Sequence, residues 1–204
     1  MYRRIPALAV AALVFALFAC TASSPSPPPA SLPPLPYTCP PTPGSQFTTP
    51  YPCTSAEHSV NSKRLERDAL EAEAIAIFKR FDAEYSRLVW AGGSDTLTPD
   101  LEATLAEPMK SQILSELADQ KHAGETVRGP QPRLSLRADW TRQREGSIVT
   151  LETCNDLRGA SIYDKNGNKV GDGEVAIGNY YFKRFDGALQ MFVFSARMED
   201  RCPF

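Results

Sequence analysis

Prolines crowd into one part of this chain of 204 residues, and their position limits where a folded domain can lie. Twelve of the eighteen prolines fall within residues 25–52, among serines, threonines and few large aliphatic side chains. Such a segment cannot bury enough apolar surface to offset the entropy lost on ordering. We therefore predict that residues 20–60 form an extended tether and that residues 61–204 form the folded domain.

A short apolar segment precedes this tether. Residues 1–4 include two arginines, and residues 5–19 then run without a charge. A basic start followed by a short apolar run is typical of a signal peptide, whereas a membrane-spanning helix needs about 20 apolar residues. We predict that residues 1–19 direct export and are removed.

The apolar run ends in Leu17-Phe18-Ala19-Cys20, which resembles the bacterial lipobox. In that motif the cysteine is acylated, for instance with palmitate, and becomes the first residue of the mature protein. Phe18 is larger than the residue usually found at its position. Each buried methylene contributes about 0.8 kcal/mol, so two or three acyl chains anchor a protein firmly. We predict a lipoprotein anchored through Cys20 on the extracytoplasmic face of the cell membrane; the alternative is an ordinary signal peptide cut near Ala19.

The cysteine count agrees with lipidation. Five cysteines in an exported chain leave one unpaired, and an acylated Cys20 accounts for it. The other four allow three pairings, of which we favour Cys39 with Cys53 and Cys154 with Cys202. The competing interpretation is zinc, but the chain has only two histidines and no Cys-x-x-Cys spacing. We predict disulfides and no metal site.

The charge pattern excludes one class of partner. The formal net charge of the whole chain is −2, and loss of Arg3 and Arg4 with the signal peptide makes it −4. No run of lysine or arginine provides the basic surface that nucleic-acid binding requires. We expect no nucleic-acid partner.

The first half of the predicted domain has the apolar periodicity of helices. Apolar side chains recur every three or four positions within residues 63–90, which predicts one long helix with Asn61 or Ser62 as its N-cap. A short helix is predicted after Thr98, and another from Pro108 to about His122.

The pattern changes to strict alternation after Gly124. Residues 134–140 and 147–155 predict strands, and Asp186-Gly187 predicts a tight type I′ hairpin turn. Alternation after that turn places Met191 and Val193 on one face and Phe192 and Phe194 on the other. Because both faces would be apolar, we expect one to pack on the helices and the other to be partly exposed or to form a homodimer.

Helices followed by strands predict an α+β fold. The chain resembles the NTF2-like, or SnoaL-like, cone proteins found as actinobacterial envelope lipoproteins, in residues 72–88, in residues 149–170 and in the closing Arg201-Cys202. This resemblance implies helices packed on a curved antiparallel sheet. It also implies a non-enzymatic binding or assembly domain, whose partner would be a small apolar ligand or an envelope protein. The alternative is a small-molecule isomerase or cyclase.

The sequence offers few candidates for catalysis and predicts no cofactor. It has no P-loop and no Gly-x-Ser-x-Gly motif, and residues 164–175 fail as a calcium loop because Lys169 and Val175 occupy its essential glycine and glutamate positions. Enzymes of the resembled superfamily place an acidic or histidine base and a tyrosine or acid donor inside the cone. The candidates for a base, a donor and the pocket wall are Asp139, Asp156, Tyr85, Tyr180, Tyr181, Trp90 and Trp140.

Overall fold

The computed structural model describes residues 35–144 and 146–204, so the predicted signal peptide, Cys20 and the first part of the predicted tether lie outside the described residues. Helices precede most of the strands, and the sheets are antiparallel, as expected for an α+β fold. The elements are β1 (Tyr37–Cys39), β2 (Tyr51–Cys53), α1 (Ser55–Trp90), α2 (Pro99–Thr104), α3 (Met109–Ala123), β3 (Thr126–Arg128), β4 (Arg133–Ala138), β5 (Val149–Asp156), β6 (Ser161–Tyr163), β7 (Lys169–Asp172), β8 (Val175–Phe185) and β9 (Ala188–Glu199).

Helix α1 begins at Ser55, six residues before the predicted cap at Asn61. Thr54 forms a capping box with Glu57: the Glu57 backbone N–H donates to the Thr54 hydroxyl, and the Thr54 backbone N–H donates to the Glu57 carboxylate at 2.8 Å. The predicted boundary between residues 60 and 61 therefore falls inside a helix. The cap at Thr54 was missed because composition alone assigned this residue to the tether.

The end of the predicted tether is folded as well. Strands β1 and β2 pair, and Cys39 and Cys53 at their ends form a disulfide. The Tyr37 ring lies 5.0 Å from the His58 ring, and the Asn61 side chain donates to the Tyr51 hydroxyl at 3.4 Å. This disulfide hairpin therefore packs against the first turns of α1.

Helix α1 ends at Trp90, where the helical periodicity predicted from the sequence also ends, and Gly92-Gly93 follow. Gly93 has a φ of +90°, and a Cβ added there would lie 2.2 Å from the Leu117 carbonyl oxygen on α3. Only glycine allows the chain to turn this close to α3.

The main sheet has the strand order β4-β5-β8-β9, and the helices cover one of its faces. Apolar side chains from the second half of α1, from α2 and α3, and from this inner face of the sheet form one core. Each fully buried large side chain contributes about 1.5–3 kcal/mol. The largest buried members are Phe78, Phe81, Leu101, Leu105, Met109, Leu117, Leu151, Phe182 and Met191.

The register of the hairpin β8–β9 differs from the predicted alternation. Asp186 and Gly187 both have positive φ, as a type I′ turn requires, but a bulge inserts Phe192 between the pairs Phe182–Met191 and Tyr181–Val193. Met191 and Phe194 consequently both pack with the helix-side core, whereas Phe192 packs with Tyr181. The predicted division into a Met191 and Val193 face and a Phe192 and Phe194 face is therefore wrong, and Phe192 is only 6% exposed.

The C-terminal residues cover part of the outer face of the main sheet. Cys202 forms a disulfide with Cys154 on β5, and Cys202 and Phe204 pack on Val175 and Ile177. Both disulfides have the pairing that we favoured from the sequence, and such bonds are typical of exported proteins. Among the described residues, no helix combines the length and the apolar character needed to cross a membrane.

Candidate functional site

A pocket of about 230 Å³ lies between the last turns of α1 and the inner face of the main sheet. Aromatic and aliphatic side chains form most of its wall, with one carboxyl group, one amide and one serine among them. We call it the interior pocket. Its lining residues are Phe81, Asp82, Tyr85, Ser86, Val89, Trp90, Pro132, Asn155, Leu157 and Tyr180.

The aromatic wall is held in place by ring contacts. Phe81 and Tyr85, one turn apart on α1, stack with centroids 5.4 Å apart. Tyr180 on β8 lies 6.0 Å from Phe81, and its other neighbours are Phe78 at 4.7 Å and Phe194 at 5.8 Å. Such contacts between large flat rings fix the shape of the wall.

Asp82 brings a carboxyl group to the interior pocket without a matching cation. It forms no ion pair and no hydrogen bond with the described residues, and burial raises its pKa. A partly buried, unpaired carboxyl group is costly to the fold, since burial disfavours its charged form. Its position suits a role in ligand contact better than a role in stability.

Asn155 on β5 adds a second unpaired group. Its Oδ1 atom is buried and has no hydrogen-bond partner. Since buried polar atoms normally have partners, an unpaired acceptor beside a cavity indicates a place for a donor from outside the protein.

The two tyrosines of the pocket remain protonated at physiological pH. Burial is the main cause that raises the pKa of Tyr85, and the Glu116 carboxylate, which accepts a hydrogen bond from the Tyr85 hydroxyl at 3.3 Å, adds to it. Burial likewise raises the pKa of Tyr180, helped by Tyr85, Asp82 and Glu116. The Tyr85 hydroxyl already donates its proton to Glu116, so the Tyr180 hydroxyl is the one available to donate to a ligand.

The aspartates proposed as bases from the sequence do not line the interior pocket. Asp156 is paired with Arg158 at 2.6 Å, and this contact lowers its pKa to about 2. Asp139 accepts hydrogen bonds from Thr141 and from the backbone N–H of Arg142, which lower its pKa. Both carboxylates are ionised and held in local structure, so neither suits a general base.

The aromatic candidates divide between two places. Tyr85, Tyr180 and Trp90 line the interior pocket, whereas Tyr181 lies on the outer side of the sheet. Trp140 packs at the edge of the core, where the Arg67 guanidinium lies 4.5 Å from its ring.

Sequence reasoning missed Asp82 and Asn155. Asp82 stands next to buried Phe81 in a helix where charged residues are common, so nothing local distinguishes it from an exposed aspartate. Asn155 is the last residue of the predicted second strand, and an asparagine at that position is typical of a strand end. A polar residue on an otherwise apolar inner face was the one available signal.

The outer face of the sheet also holds buried polar groups, but these are paired. Glu152 is 4% exposed and accepts two hydrogen bonds from Arg137, at 3.0 and 2.6 Å, with Arg197 at 3.9 Å. Asn179, also 4% exposed, accepts one from Arg142 at 3.2 Å. These contacts are those of a structural network.

The loop between β6 and β7 forms a turn at Asn166-Gly167. The Asp164 carboxylate accepts hydrogen bonds from the backbone N–H groups of Asn166 and Asn168, and Gly167 has a φ of +82°. Within residues 35–144 and 146–204, no group of histidine, cysteine, aspartate and glutamate side chains is placed to hold a metal ion.

Comparison with known proteins adds a distant structural likeness. No family model and no curated protein matches the chain. Among solved structures, it is similar to the intermembrane space region of the chloroplast protein ARC6, with 14% sequence identity and a TM-score of 0.39. The alignment covers 61% of this chain and 93% of the other. At this level of similarity, we draw nothing about function from it.

Proposed function

We propose that this protein is a lipid-anchored, extracytoplasmic binding protein whose NTF2-like cone domain holds a small molecule in the interior pocket. The interior pocket carries the proposal, because its apolar wall contains a carboxyl group and an amide oxygen that have no partner in the described part of the chain. Apolar walls with a few convergent polar groups are typical of small-molecule sites.

The fold and the cysteines support the other parts of the proposal. Helices packed on one face of an antiparallel sheet agree with a cone domain, and two disulfides agree with export. The lipid anchor rests on the sequence around Cys20. The Cys20→Ala substitution should abolish lipid labelling and release the protein from membranes. As a control, the Cys39→Ala/Cys53→Ala variant should remain bound to membranes. Retention of the C20A protein in the membrane fraction would contradict the anchor.

The binding function is tested by filling the interior pocket. Val89 lines it, and Val60 lies on the same helix but is 67% exposed. Protein purified under native conditions should release a small molecule when denatured, as measured by mass spectrometry. V89W should lose that molecule, because the indole occupies the pocket, and V60W should retain it. Absence of any bound molecule from the wild-type protein and from V60W would count against the proposal.

A second candidate is an isomerase or cyclase. It is favoured by the raised pKa of Asp82, which lies in one pocket with the protonated tyrosines Tyr85 and Tyr180. A base and a donor in such surroundings are suited to proton transfer at carbon. Incubating the protein with its released molecule in D₂O tests this: deuterium incorporation that D82N abolishes favours the enzyme, and no incorporation favours binding alone.

A further inference from the structure

We propose that the ligand of the interior pocket is an organic cation: an ammonium group on a small apolar body, lying against the aromatic rings with its charge near Asp82. This inference rests on the proposed binding function and adds the chemical class of the ligand.

The wall of the interior pocket is suited to a cation. Four aromatic rings line it, those of Phe81, Tyr85, Trp90 and Tyr180. The face of such a ring attracts an ammonium group electrostatically, and the attraction is stronger where both groups are desolvated. Of these four rings, the indole of Trp90 attracts a cation most strongly.

The charges around the pocket have one sign. The residues that line it in the described part of the chain include the carboxyl group of Asp82 and no lysine or arginine. A second carboxylate, Glu116, lies behind the Tyr85 hydroxyl at 3.3 Å. The nearby Arg158 is bound to Asp156, at 2.9 and 2.6 Å. A cation would therefore enter a pocket whose only formal charge, among the residues that the structure describes, is negative.

The unpaired groups distinguish a cation from other ligands. An anion would lie beside the Asp82 carboxylate and the Asn155 oxygen, both of which are acceptors, and would be repelled by them. A purely apolar molecule would leave both groups unpaired, and a buried polar group without a partner weakens binding. An ammonium group satisfies the carboxylate, and a hydroxyl or N–H on the same molecule satisfies Asn155.

The size of the pocket limits the ligand further. Sites for drug-sized molecules have volumes of about 300–1,000 Å³, and the interior pocket has about 230 Å³. It fits a small amine, or the ammonium end of a larger molecule whose remainder extends outside.

Two probes of the same shape test the charge. Choline and its carbon isostere 3,3-dimethylbutan-1-ol differ only in the positive charge, and calorimetry gives both affinities. We expect choline to bind the wild-type protein at least tenfold more tightly than the isostere. D82N should weaken choline binding about tenfold and leave the isostere unchanged. The control is D68N, since Asp68 is an exposed aspartate on the same helix; it should alter neither affinity.

The outcomes separate this inference from the proposed function. Equal or tighter binding of the neutral isostere would overturn the cation inference and leave the binding function intact. If neither probe binds, the molecule released in the native experiment decides: a cationic molecule supports the inference, and a neutral or anionic one overturns it. No released molecule and no binding of either probe would overturn both.

Discussion

The two faces of the main sheet bury polar groups in opposite ways. On the outer face, Glu152 and Asn179 are almost fully buried, and each accepts a hydrogen bond from an arginine. On the inner face, Asn155 and the neighbouring Asp82 of α1 line a cavity without such partners. One sheet therefore carries a paired polar network on one side and an unpaired set on the other.

This contrast suggests that the polar groups of the outer face stabilise the fold, whereas those of the interior pocket serve binding. A paired polar group contributes to the folded state, and its loss leaves a partner unsatisfied. An unpaired group costs stability and persists where it serves another purpose. We therefore expect changes on the outer face to lower stability, and changes in the interior pocket to alter binding with little loss of stability.

The largest loss of stability is expected when the disulfide that holds the C-terminal residues on the outer face of the sheet is removed. The Cys154–Cys202 disulfide closes a loop over 48 residues, which corresponds to about 4 kcal/mol in the chain-entropy model. The C154A/C202A variant should have a melting temperature lower by about 8–16 °C, measured by circular dichroism. The C39A/C53A variant, which opens a loop of 14 residues, should lose less. A smaller loss in C154A/C202A than in C39A/C53A would contradict the importance of this cover.

A smaller loss of stability is expected when the polar network on the outer face loses the negative charge of Glu152. E152Q should lower the free energy of unfolding in urea by about 1–2 kcal/mol, because Arg137 and Arg197 lose their buried carboxylate while remaining partly solvated. E199Q is the matched control, since the exposed Glu199 also pairs with Arg197; its effect should stay within about 0.5 kcal/mol. Equal effects in the two variants would remove the distinction between buried and exposed pairs.

The smallest change in stability is expected for a substitution in the interior pocket, and there the change is an increase. Because burial raises the pKa of Asp82, its protonated form favours the folded state, and this contribution is lost as the pH rises through the pKa of the folded protein. D82N should melt about 1–2 °C above the wild type at pH 7. The difference should disappear below the ordinary aspartate pKa of about 3.9.

Melting curves from pH 3 to pH 8 measure this effect, and D68N, which removes an exposed carboxyl group from the same helix, is the matched control. A D82N protein less stable than the wild type at pH 7 would mean that Asp82 has a stabilising partner, and the contrast between the two faces would fail.

Local patterns were sufficient for much of the fold. The alternation in β4 and the pair Asp186-Gly187 each depend on neighbours in the chain, and both are found as predicted. The start of α1 and the bulge at Phe192 were missed for a different reason. A capping box at Thr54 competes with a proline-rich composition, and a bulge is set by the pairing of two strands rather than by either strand alone.

The site was harder to predict than the fold. Tyr85, Trp90 and Tyr180 were candidates, but their sequence patterns fit a core equally well. Asp82 and Asn155 are 73 positions apart and become one site only when α1 packs on β5. A single sequence contains no local signal for that contact, and this is why the aspartates chosen from it lie elsewhere.

The length of α1 sets a fixed distance within the molecule. At about 1.5 Å per residue, the 30 positions from its first residue to Tyr85 span about 45 Å. A disulfide hairpin packs on one end of this helix and the interior pocket lies at the other. The helix thus acts as a stiff spacer that keeps the interior pocket about 45 Å from the hairpin, however the protein as a whole is oriented.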